Sequence, residues 1–338
     1  MTIEQIKMMV AGSEYDFLRT NKHLKDRIIF LTLGGSHSYG TNIETSDVDI
    51  RGCALNSPSD ILGMTNFEQV VNSETDTTVY GFNKLISLLM SCNPNVIEML
   101  GCKPEHYIVQ TDIGREMIAN RKLFLSQRAV DSFGGYAIQQ LRRLENALAR
   151  DRLPQARQEE HVLHSMESAV KSFKDRYSDF EYGSIHLYTD VSSREELDRE
   201  IFLDMTLKKF PMREVNSMLN DMHNVMISYN KVNHRNHKKD NAHLNKHAMH
   251  LVRLYLMCLD ILENEDIVTY REKDIPFLMS IRNGAFMKED GTYADEFFEL
   301  IRKYEERMQY SKRHTNLPKH PDQRIIQEFV MDINRRSL

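Results

Sequence analysis

The sequence predicts an α+β protein in two parts, a strand-and-helix unit over residues 1–125 and a mostly helical unit over residues 126–338. Short apolar, β-branched runs that stop at glycine crowd the first part, as buried strands do. From Gln127 onward the apolar residues recur at helical spacing, and the composition shifts at residues 121–130, where a hinge is expected. With 41% apolar residues the 338-residue chain has ample material for buried cores.

Taken in order, IEQIKMMVAGSEYDFLRTNK reads as one amphipathic helix, and RIIFLTLGG as a buried strand ending at a glycine pair. After the loop HSYGTNIETS comes DVDIRGCAL, where alternation places Val48 and Ile50 on one face and Asp47 and Asp49 on the other. FEQVVNSETDTTVYG is extended. FNKLISLLMSCNPNVIEMLGC is a helix that breaks at Asn93-Pro94 and restarts. The second part reads as helices at residues 128–152, 161–177, 212–230, 241–264, 293–309 and 321–336, with GSIHLYTDVS and REIFLDMTLKKFPM as a small strand pair near 183–212.

Several function classes fall away at this stage. The 44 Lys and Arg against 49 Asp and Glu leave a net charge of −5, too mild for wholesale polyanion binding, although a local basic face is compatible with it. Cys53, Cys92, Cys102 and Cys258 show no CxxC spacing, and MTIEQIKMMV lacks a basic start followed by an apolar core, so reduced thiols in a cytoplasm are expected. The longest apolar segments are broken by charge well short of the ~20 residues that cross a bilayer. The 19 methionines sit on apolar helix faces, where core packing accounts for them.

The chemistry concentrates in GGSHSYGTNIETSDVDIRG. Two carboxylates at i and i+2 on a strand have Cα atoms about 6–7 Å apart and point the same way, a spacing that suits two divalent cations about 4 Å apart. Magnesium, which takes a few carboxylates together with phosphate oxygens and water, suits such an all-oxygen set; manganese would serve in its place. The Gly34-Gly35-Ser36 turn offers a triphosphate close backbone approach, N–H donors and a hydroxyl. A DxD pair after such a turn also occurs in solvated hairpins and in sugar-nucleotide transferases, so spacing alone leaves both readings open. Arg51 alternates onto the face of Asp49, where its fork could bind phosphate or pair with the aspartates themselves. Tyr39 and His37 could contact a nucleotide or pack the loop.

The whole stretch resembles the hG[GS]…DhD signature of the DNA polymerase beta nucleotidyltransferase superfamily, and its G-S-x-x-Y-G-T…S-D-x-D-x-R-G form is similar to the RNA-repair-pathway branch. The resemblance continues in DTTVYGFNKLISLLMSCNPNVIEML, NKHAMHLVRLYLMCLDIL and LMSIRNGAFMKED. It implies a polymerase-beta-like mixed-sheet domain, with the active cleft between it and the helical part. It also implies Mg²⁺-dependent transfer of a nucleoside monophosphate from a nucleoside triphosphate to a hydroxyl, with an RNA 3′ end, such as that of tRNA, as acceptor. Carried over by residue, the resemblance makes Gly35 and Ser36 triphosphate contacts and Asp47 and Asp49 metal ligands; Tyr39, Ser46 and Arg51 are counted with them as candidate nucleotide contacts. Asp76 becomes the third carboxylate, with Glu74 the alternative. Residues 151–235 show no such correspondence, and acceptor recognition is placed there.

A second constellation lies on one presumed helix, where His243, Lys246, His247, His250 and Arg253 fall along one side. Anion contact and plain packing both explain it, whereas zinc at His243, His247 and His250 would want an acidic fourth ligand that is not evident. The resembled family's K-x-x-M-H-L-x-R pattern singles out Lys246 and His250 as triphosphate contacts. The run HRNHKK at 234–239, with Arg235, Lys238 and Lys239, offers phosphate contacts for RNA but lacks interleaved aromatics, and a solvated loop explains it as well. Two rival functions are nucleotidylylation of a protein or small molecule, and an inactive nucleotide-binding regulator.

Overall fold

The computed structural model describes residues 1–152, 173–191, 199–236, 241–289 and 291–338. Five short strands form a mixed sheet: β1 (Ile28–Leu33), β2 (Ile50–Ala54), β3 (Gln69–Asn72), β4 (Thr77–Gly81) and β5 (Tyr107–Gln110), in the order β3-β4-β2-β1-β5. β2 runs parallel to β4, with Ile50 opposite Thr77, and every other neighbour is antiparallel. This sheet and the helices around it make the α+β fold that the sequence predicts. One face is sealed by Leu31, Leu33, Ile50 and Val79, packed with Ile6 and Val10 of the first helix. Alternation along DVDIRGCAL thus sends Ile50 inward as expected, although strand pairing begins only at Ile50.

The first helix is shorter than predicted. It runs Ile3–Ala11, capped by Thr2 in a reciprocal box with Gln5, and stops at Gly12, whose backbone is extended. A tight turn at Ser13–Tyr15 and a single helical turn at Phe17–Thr20 follow, and Arg19 reaches back to the carbonyls of Val10 and Gly12 at 3.1 and 2.7 Å, satisfying acceptors that the helix end leaves open. The break at Asn93-Pro94 falls as expected, between helices Phe82–Met90 and Pro94–Ile97. β5 was not legible beforehand: YIVQ is an edge strand of four residues, too short to alternate visibly.

In the second part, helices form at Arg128–Arg152, Met212–Asn236, Asn241–Leu259, Asp295–His314 and Gln323–Ser337, together with a shorter one at Ile275–Arg282. Of the helix expected at 161–177, residues 173–177 are described and helical. β6 (Gly183–Val191) and β7 (Arg199–Leu207) pair antiparallel, as the apolar alternation indicates. The chain resolves into two compact units, Met1–Arg143 with Asn245–Leu338, and Leu144–Leu244. The expected division at residue 125 does not coincide with them. The reason is packing: Met257 and Arg253 lie on Tyr39, and Thr269 donates to the Glu98 carbonyl, so the C-terminal helices share the core of the sheet. The Leu144–Leu244 unit has its own core of Phe173, Tyr177, Ile185, Met218 and Val225. All four cysteines are free, and among the described residues no helix is long and apolar enough to cross a membrane.

Candidate active site

β1 ends at Leu33, and the Gly34 amide donates to the Asp49 carbonyl at 2.8 Å, so the glycine turn is tied to the aspartate strand at its root. Gly35, at φ +52°, then opens a five-residue helix, Gly35–Tyr39, that Gly40 closes in the left-handed region. A Cβ on Gly35 would stand 2.0 Å from Asp49 Oδ2. Only glycine lets the helix begin against the carboxylate. Gly35→Ala is therefore expected to cost about 1–3 kcal/mol through backbone strain and the displaced carboxylate. A thermal melt checks it, and an unchanged midpoint would contradict the contact.

Asp49 and Asp76 meet because β2 and β4 are parallel neighbours: the Ile50 amide donates to the Asp76 carbonyl at 3.2 Å, holding the two residues side by side at the strand entrances. Asp76 sits at φ +42°, an uncommon conformation for a residue with a side chain. Between them lies the Arg51 guanidinium, whose Nη2 donates to Asp49 Oδ1 and Asp76 Oδ1 at 3.0 Å each. Its Nη1 donates to the carbonyls of Ile50 and Asp76. Burial, reinforced by a hydrogen bond with the Asp76 carboxyl, pushes Asp49 up to about 6 against the opposing pull of Arg51. Of the two expectations for Arg51, pairing with the aspartates is the one this structure displays.

Asp47 precedes β2 and is exposed, Glu74 is exposed in the β3–β4 turn, and Asp76 is the carboxylate brought to Asp49. Ser36 is half-buried, and its carbonyl accepts from the Thr41 amide; the Ser46 hydroxyl accepts from the Ile43 amide at 2.8 Å and braces the loop. Among the described residues no three His, Cys, Asp or Glu side chains gather as ready metal ligands. The donors at Asp47, Asp49 and Asp76 are nevertheless all oxygen, the type magnesium takes, and a cation already sits between two of them in the form of Arg51.

Tyr39 requires a correction. Expected against a nucleotide, it is 1% exposed; its hydroxyl donates to the Glu98 carboxylate, and the Arg253 guanidinium lies 3.5 Å over its ring. It packs the core beneath the turn, so no face is left for a base to stack on. His37 is likewise buried, with burial lowering its proton affinity. Along helix Asn241–Leu259, Lys246 is exposed, His247 Nδ1 lies 3.2 Å from Gln140 Oε1, and His250 Nδ1 lies 3.2 Å from Arg253 Nη2. The stripe therefore leaves the surface at Lys246 and ends in the core at Arg253. His243 belongs to the Leu144–Leu244 unit. Lys238 and Lys239 lie outside the described residues, as does the side chain of Arg235.

Residues 9–165 match the model of the RNA repair pathway DNA polymerase beta family. Over those residues, a little under half of the chain, the sequence is similar to that family. No curated protein and no solved structure gives a significant match. The matched segment contains β1 to β5, the glycine turn, and Asp47, Asp49, Arg51 and Asp76. The match is to a family of polymerase-beta-like nucleotidyltransferases, and it stops well before Lys246 and His250. Within the matched segment lies one further polar group, Glu98, to which the sequence motifs assign no role. Glu98 accepts from Tyr39, is held above the usual carboxylate range chiefly by burial, and lies within electrostatic reach of Asp49 and Arg51. Its signal was present in NVIEMLG, a lone acid in an apolar run behind the sheet.

Proposed function

We propose that this protein is a divalent-metal-dependent nucleotidyltransferase that moves a nucleoside monophosphate from a nucleoside triphosphate to a hydroxyl at an RNA 3′ end, with tRNA the favoured acceptor. The observation that carries this is the Asp49 carboxylate set directly against the Gly35 backbone, inside the segment matching the RNA repair family. Gly34 and Gly35 add no side chain of their own to the turn, whose backbone lies against Asp49 and Arg51; Ser36 is the hydroxyl residue offered to a triphosphate, with Ser46 bracing the loop. Lys246 supplies an exposed positive charge and His250 a further contact for the phosphates. Asp47, Asp49 and Asp76 would hold Mg²⁺ or Mn²⁺, which when bound neutralises phosphate charge and acidifies the acceptor hydroxyl.

The acceptor oxygen bonds to the α-phosphorus while the bond from that phosphorus to the oxygen bridging the β-phosphate breaks, and pyrophosphate leaves. The hydroxyl proton passes to Asp76, the more open of the paired carboxylates, and on to water. The test is incubation of the purified protein with each α-labelled nucleoside triphosphate, Mg²⁺, and either total RNA or cell protein. Label is expected at RNA 3′ ends only when metal is present. Label confined to polypeptide or to a small molecule would overturn the RNA acceptor and leave the transferase chemistry standing.

A further inference from the structure

We infer that Arg51 is a built-in counter-cation that must leave the paired carboxylates before a divalent metal can enter, and that its departure hands the guanidinium to the triphosphate, so metal and nucleotide bind cooperatively. The inference rests on the nucleotidyltransferase reading and adds an order of events to it. A guanidinium has five N–H donors, four of them on the two Nη atoms. Here those four meet four acceptors: Asp49 Oδ1, Asp76 Oδ1, and the carbonyls of Ile50 and Asp76. Nothing remains on either Nη for a phosphate. Arg51 can grip a phosphate with its fork only by surrendering carboxylates, and those carboxylates can take a metal only by surrendering Arg51.

Each half of this exchange is unfavourable alone. A metal arriving without nucleotide would strand a guanidinium that is 20% exposed, and a triphosphate arriving without metal would strand two adjacent carboxylates. Arriving together, each satisfies the group that the other releases. Arg51 also pins the Asp76 carbonyl, and with it a residue in the left-handed region, so withdrawal frees the Asp76 side chain to reorient toward a metal. Because binding linkage is reciprocal, nucleotide must raise metal affinity by the same factor by which metal raises nucleotide affinity.

The test titrates the full-length protein with Mn²⁺ alone, followed by water-proton relaxation, with α,β-methylene-ATP alone, and with each in the presence of the other. Wild-type protein is expected to bind each ligand at least about tenfold more tightly when the other is present, within the range of measured couplings. In Arg51→Met, Mn²⁺ alone should bind about tenfold more tightly than to wild type, the nucleotide analogue more weakly, and the coupling factor should fall toward one. Arg51→Lys, which keeps one charge but not the fork, should fall between. If Arg51→Met folds poorly, Arg51→Gln, which keeps polar donors without the charge or the fork, takes its place with the same expected loss of coupling. Independent binding of the two ligands would overturn the exchange and leave the transferase reading intact, whereas failure to bind either ligand would overturn both. Unchanged coupling in folded Arg51→Met would overturn the assignment to Arg51.

Discussion

Asp49→Asn is expected to lower nucleotidyl transfer by at least about a thousandfold, ~4 kcal/mol in barrier, while the folded protein melts no lower than wild type and, above about pH 6, higher. Both halves follow from one carboxyl. Its charge is what a metal and a triphosphate need, and burial beside Asp76 disfavours that charge even with Arg51 in contact. The folded state holds the Asp49 proton up to about pH 6, whereas the unfolded chain loses it near the ordinary 3.8. Between those values the folded state binds more protons, so this group's contribution to stability falls as pH rises and stays lowered at neutral pH. Asparagine keeps the shape and an oxygen for Arg51 without the charge. Its gain in melting temperature should therefore be nil near pH 4 and complete at pH 8. A gain equal at both pH values would sink the electrostatic account, and a variant retaining more than a tenth of the rate would sink the catalytic one.

What could be read beforehand follows from how locally each feature is encoded. β1 and the turn after it were legible because a β-branched run halting at two glycines has few other uses, and the inward course of Ile50 follows from alternation alone. The break at Gly12 was missed because apolar spacing continues across it, although Gly12 together with the tertiary reach of Arg19 ends the helix. The likeness of Asp47 and Asp49 in the sequence hides a difference that only strand pairing creates: Asp49 is drawn beside Asp76 by the parallel β2–β4 ladder, and Asp47, upstream of it, stays exposed. Tyr39 was misplaced because a tyrosine in a glycine-serine loop looks available, and what buries it comes from Met257 and Arg253, more than two hundred residues along the chain. The same long-range packing explains why the sheet's unit includes Asn245–Leu338, which helical periodicity cannot indicate.

Glu98→Ala is expected to lower the thermal midpoint by about 6–12 °C, corresponding to ~3 kcal/mol, while Glu98→Gln should cost less than about 1 kcal/mol. Glu98 is the acceptor for the buried Tyr39 hydroxyl, and it lies in the field of Arg253, which is 7% exposed and whose Nε has no hydrogen-bond partner among the described residues. Alanine removes the acceptor of a buried hydroxyl and leaves a cavity beneath the turn. Glutamine keeps an oxygen for Tyr39 and the volume, giving up only a negative charge that burial already disfavours. The contrast between the two variants separates acceptor from charge. Equal losses in both would show that Arg253 depends on the carboxylate charge, and an alanine variant as stable as wild type would show the Tyr39–Glu98–Arg253 cluster to be idle in holding helix Asn241–Leu259 against the glycine turn.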